Sequence, residues 1–113
     1  MSINQTNIID AIGISHEGKV ILTISDHHAW HETWHLQLLQ DKINSYLQFI
    51  ESGQIFEDYP NAASKELIIG IVMKYRPTSE AISFLEEAKE IIRGAGFGFS
   101  WKVFNVDEKT IIT

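Results

Sequence analysis

Four of the five histidines fall between Ser25 and His35, in the stretch SDHHAWHETWH. Within it, His31-Glu32-Thr33-Trp34-His35 has the spacing H-E-x-x-H. On a helix, residues i and i+4 share a face, so two imidazoles at that spacing can bind one zinc ion. A glutamate beside the first histidine then reaches the metal-bound water and takes its proton. The chemistry so spelled is metal-assisted hydrolysis, with His31 and His35 as ligands, Glu32 as base and zinc as cofactor. Several features weigh against it. The helix must already be formed at His31, only a few residues after a strand that closes at Asp26. No H-x-x-G-x-x-H extension follows, because the next residues are Leu36-Gln37-Leu38-Leu39-Gln40-Asp41. Lys42 falls on the same helical stripe, where a cation opposes a dication. Glu80, Glu86, Glu87 and Glu90 are available as a third ligand, but none has a diagnostic neighbourhood. The plainer reading is a polar helix entrance in which neutral histidines hydrogen-bond locally and Asp26 caps nearby backbone amides.

The elements that must position these residues follow from periodicity. Ile8, Ile9, Ile12 and Ile14 predict a strand, Ser15-His16-Glu17-Gly18 a turn, and Val20 to Ser25 a second strand, together a hairpin. From about His31 the period changes: Leu36, Leu39, Ile43, Leu47 and Ile50 predict an amphipathic helix that Ser52-Gly53 ends. QIFEDYPNAAS reads as a loop. Lys65 to Tyr75 is almost continuously apolar, the pattern of a central strand covered on both faces, with Gly70 marking a bulge or a close approach. Pro77 stops that strand, and Thr78 or Ser79 caps a second helix carrying Ala81, Phe84, Leu85, Ala88, Ile91, Ile92 and Ala95. Gly94 and Gly96 end it, and Phe97, Phe99, Trp101 and Val103 give a last strand one aromatic face. The order β-β-α-β-α-β predicts an α+β, two-layer sandwich with two helices on one face of a four-stranded sheet. Residues 1–113 form a single domain, fraying over 1–7 and 105–113.

Composition removes several classes of function. The chain has 113 residues, 44% hydrophobic and 21% charged, as an ordinary globular domain does. It has no cysteine, which rules out disulfides and thiolate metal sites and suits a reducing compartment. MSINQTNIID lacks the basic and apolar regions of a signal peptide, and no apolar run approaches the length that spans a bilayer. The expected location is the cytoplasm, with no membrane partner. Nine Lys and Arg against fifteen Asp and Glu give a net charge of −6, which repels phosphates and argues against nucleic acid. Gly94-Ala95-Gly96-Phe97-Gly98 follows a helix instead of opening one, so it is not a dinucleotide loop. No G-x-S-x-G elbow occurs.

What remains is contact chemistry. Trp30 and Trp34 flank the histidines, and Trp34 falls roughly opposite the Leu36/Ile43/Leu47 stripe. With Phe56 and Tyr59 in the loop, they are the candidate binding residues, since aromatic side chains dominate interface hot spots. The Phe97/Phe99/Trp101 face reads as core before it reads as a ligand pocket. The segments Asn7–Ile14, Val20–His27, Leu38–Asn44, Phe49–Gly53, Phe84–Ala88 and Gly96–Phe99 resemble a family of small uncharacterised bacterial proteins, a domain of unknown function. The resemblance spans about Asn7 to Trp101 and implies a bacterial cytoplasmic protein of this length, with no activity attached. The expected function is a non-enzymatic module for protein–protein contact, of an immunity or inhibitor type that sets acidic residues against a basic partner. A second copy of the chain, giving a homodimer, is another such partner.

Overall fold

The computed structural model describes residues 9–30 and 34–103. Four strands, β1 (Ala11–Ile14), β2 (Val20–Asp26), β3 (Leu67–Met73) and β4 (Gly98–Val103), form one sheet in the order β1-β2-β3-β4. β1 is antiparallel to β2, as the hairpin pattern predicts, while β2–β3 and β3–β4 are parallel. Each parallel step is crossed by a helix, α1 (His35–Glu51) and α3 (Ser79–Gly94). Two crossovers of one hand that step in the same direction put both helices on one side of the sheet. This is the α+β architecture that the alternation of periods predicts.

The core lies between helices and sheet. Val20, Leu22 and Ile24 of β2, Leu67, Ile69, Ile71 and Met73 of β3, and Phe99 of β4 meet Leu39, Ile43, Tyr46 and Ile50 of α1 and Leu85, Ala88 and Ile92 of α3. The aromatic face of β4 is therefore core, with Trp101 packed beside it. β2 and β3 both alternate strictly between buried and half-buried residues. The sequence of β3 predicts cover on both faces, but the described elements cover only one. Gly70 is not a bulge: the register runs through it unbroken to Thr23 on one side and Ser100 on the other.

Local signals account for the ends of the helices. Thr78 accepts a hydrogen bond from the Ala81 amide at 3.1 Å and caps α3 as expected. Gly53, with φ 85°, turns the chain out of α1 through the left-handed region that only glycine enters without strain. The segment read as a loop is more ordered than its composition suggests. Gln54–Asp58 forms a short helix, α2, and Pro60–Ala62 a 3-10 turn, because Ile55 and Ala62 both insert into the core. No helix among the described residues is long and apolar enough to cross a membrane.

Candidate functional site

The buried stripe of α1 is not purely apolar. Its members are His35, Leu39, Lys42, Ile43, Tyr46 and Ile50. His35, Lys42 and Tyr46 stand at i, i+7 and i+11, so they fall in line along the face that the sheet covers. Two carboxylates meet them, Asp10 just before β1 and Asp26 at the end of β2. All four charge-bearing side chains are buried.

In the first group, Lys42 Nζ donates to Asp10 Oδ1 at 2.8 Å, with side chains 0% and 1% exposed. Asp10 Oδ2 accepts the Ser25 amide at 2.9 Å. The Tyr46 hydroxyl accepts the Asp10 amide at 2.8 Å and donates to the Thr23 carbonyl at 2.5 Å. Charges so enclosed persist only when paired and hydrogen-bonded, and here they are. Burial pushes the Tyr46 phenol far above its ordinary value of 10.0, so it stays protonated and can donate. The folded chain holds that proton more tightly than the unfolded chain does. Its contribution to stability is therefore intact below pH 10.0 and declines as pH rises beyond it. Tyr46→Phe strands the Asp10 amide and the Thr23 carbonyl. It should destabilise the fold by about 1–3 kcal/mol at neutral pH and flatten the alkaline loss of stability, as urea unfolding at stepped pH would show.

In the second group, Asp26 Oδ2 lies 2.5 Å from His35 Nε2, and Asp26 Oδ1 accepts the His28 amide at 3.1 Å. The second of these is the local capping that the sequence predicts for Asp26. His35 Nδ1 lies 2.9 Å from the Ala29 carbonyl. A carbonyl oxygen has no hydrogen to give, so Nδ1 carries one. The contact at Nε2 then requires one further proton, shared between imidazole and carboxylate. Trp30 stacks on the His35 ring, centroids 3.9 Å apart and planes 9° apart, and its indole N–H donates to the Tyr75 carbonyl at 3.0 Å. His28 meets Trp34 edge-on at 4.9 Å. Asp26 and His35 thus tie the end of β2 to the start of α1, and Trp30 ties both to the segment leaving β3.

A comparison with known families matches residues 1–105 to DUF6572, a family of unknown function. The chain belongs to that family. No curated protein and no solved structure matches it. Membership in that family brings no activity to the site.

The predicted site residues separate into three places. His31 and Glu32 lie outside the described residues. His35 opens α1, inaccessible to solvent and with both ring nitrogens occupied, so a zinc ion could bind it only by displacing Asp26 or Ala29. Among the described residues no three His, Asp or Glu side chains gather as metal ligands. Trp30 and Trp34 stand at the entrance to α1, Trp30 half-buried against the core and Trp34 exposed. Phe56 and Tyr59 follow the far end of that helix, whose 17 residues span about 26 Å. The four aromatic residues therefore make two surfaces. Asp10, Lys42 and Tyr46 escaped the sequence reading as a site. The signals were a lone acid among the isoleucines of the first strand, and a lysine and a tyrosine on the helical stripe.

Proposed function

We propose that the protein is a bacterial cytoplasmic binding module, not an enzyme, which docks a basic protein partner on the corner formed by α2. One observation carries the reading. Ile55 is locked in the core, and the turn of helix around it holds Phe56 and Tyr59 outward, 41% and 45% exposed. Two ring side chains carried on a turn that the core anchors suit an interface hot spot, because little backbone freedom is left to lose on binding. Glu51, Glu57 and Asp58 lie within a few residues of them along the chain, all exposed. Beside them a cleft of about 350 Å³ runs between β1 and the Tyr59–Ala62 turn, lined by Ile12, Ile14, Val20 and Tyr59 with Asp58 among its walls. Aromatic anchors with exposed carboxylates close by in the chain suit a cationic surface, as an immunity protein or inhibitor would use. The absence of cysteine suits a reducing compartment such as the cytoplasm. The inward groups of α1 support the non-catalytic reading: His35 and Lys42 are spent on Asp26 and Asp10, and the α2 cleft is lined by other residues.

The test is affinity capture from a lysate of the source organism, followed by titration of the captured partner. Phe56→Ala with Tyr59→Ala should weaken binding roughly thirtyfold, as loss of about 2 kcal/mol implies, while Trp34→Ala leaves it unchanged. Raised salt should slow association. Binding that survives the α2 variants and fails in Trp34→Ala would move the surface to the other end of α1 and end this reading.

A further inference from the structure

The sheet has a second face. Ile21, Thr23, Ile68, Gly70, Val72 and Ser100 point away from the helices, and Ile21, Ile68 and Val72 belong neither to the core nor to the residues packed on it. Parallel strands are ordinarily buried on both sides, and the sequence of β3 is written for that. Here the parallel strands β2, β3 and β4 have described cover on one side only. At the centre of the open face, Gly70 leaves a trough of about 390 Å³ between Ile21, Thr23, Val72 and Ser100. A Cβ on Gly70 would stand 3.6 Å from Ile21 Cγ2 and 3.7 Å from Ser100 Oγ, so a side chain there would occupy the floor of the trough.

Charge selects the occupant. The chain carries a net −6, yet no strand residue of this face is acidic, and Lys102 is its one charged member. A cationic partner finds no carboxylate on it, and one lysine is too little positive charge to hold a nucleic acid. A second copy fits: a face with no carboxylate meets its own like, Lys102 on the edge strand β4 is the single charge each copy brings, and the carboxylates that would repel on most other pairings stay outside the contact. We propose that this face is a two-fold interface between two copies of the chain, with Ile68 or Val72 of one copy seated in the Gly70 trough of the other. Such a contact is self-complementary, as two-fold symmetry requires. Four strands about 4.8 Å apart and about 20 Å long present roughly 400 Å² of flat surface. Two such faces bury about 800 Å² in all, below the range of stable complexes and in that of weak, transient ones, so the dimer should dissociate in the micromolar range or above. The α2 corner takes no part, so this surface stands or falls independently of the proposed partner.

The experiment is analytical ultracentrifugation of the full chain across the micromolar range, with Val72→Glu and the more exposed Ser100→Glu, each checked for folding by circular dichroism. The expected result is a reversible monomer–dimer equilibrium that both substitutions weaken at least tenfold, since each sets a carboxylate close to its own symmetry mate. Because the chain has no cysteine, Ser100→Cys introduces a sole thiol, which a short bis-maleimide should link between copies. Ile91→Cys, on the exposed side of α3, should not link. A wild-type chain that stays monomeric overturns the proposal. So does a dimer that tolerates both glutamates and links through Ile91→Cys.

Discussion

Lys42→Met should destabilise the protein by about 3–5 kcal/mol, among the larger single-residue effects, although it removes no apolar contact area to speak of. Methionine fills nearly the volume of the lysine stem, so the loss is not a cavity. It is the Asp10 carboxylate, 1% exposed, left without its cation 2.8 Å away. The Ser25 amide still donates to it, but one amide does not neutralise a buried charge. Adding Asp10→Asn should therefore restore part of what Lys42→Met removes. The amide keeps an acceptor for Ser25 and carries no charge to strand. The double variant should be more stable than Lys42→Met alone, with a coupling of 1–3 kcal/mol, the mark of two residues acting as one unit. Urea unfolding of the four proteins in the cycle gives the coupling, and the single variant should lose roughly 10–20 °C in Tm. Additive losses would mean that the pair is solvated and that its enclosure contributes little.

The same pair shows where the sequence was legible and where it was not. Strands β2 and β3, helix α3 with its Thr78 cap, and the turn at Gly53 could be read from period and composition, because each is set by neighbours along the chain. Helix α1 was found, but its face was turned. The apolar stripe Leu36, Leu39, Ile43, Leu47 and Ile50 is real, yet the residues facing the sheet are rotated toward His35, Lys42 and Tyr46. Hydrophobicity does not reveal that rotation, because it depends on Asp10 and Asp26 waiting on the strands. Each charge is tolerable inside only because its partner, nine residues away for Asp26 and His35 and thirty-two for Asp10 and Lys42, is inside too. Periodicity sees one chain segment at a time and scores a buried lysine as a solvent residue. For the same reason H-E-x-x-H does not by itself reveal that His35 is buried against Asp26 and Ala29. Spacing shows that two residues can share a face, and says nothing about which groups already occupy their nitrogens. Helix α2 was missed because five residues are too few to show a period, and Ile55 and Ala62 fix it through the core.

Asp26→Ala should destabilise by about 2–4 kcal/mol and disorder the entrance to α1, while Asp26→Asn costs much less. The difference follows from counting protons. His35 Nδ1 donates to the Ala29 carbonyl, so without a shared proton Nε2 can only accept. Alanine offers nothing to that nitrogen and also removes the acceptor of the His28 amide. Asparagine can turn its NH₂ toward Nε2 and its carbonyl toward His28, filling both positions with a neutral side chain. The ring would then keep its orientation, and Trp30 would stay stacked upon it between His35 and the Tyr75 carbonyl. Near-ultraviolet circular dichroism reads that stack directly, because an indole held 3.9 Å from a second ring sits in a fixed asymmetric environment. The band should collapse in Asp26→Ala and persist in Asp26→Asn, with urea unfolding giving the matching order of stabilities. If Asn is as damaging as Ala, the ring must be charged as well as positioned, and the Asp26–His35 contact is an ion pair whose carboxylate no neutral group replaces.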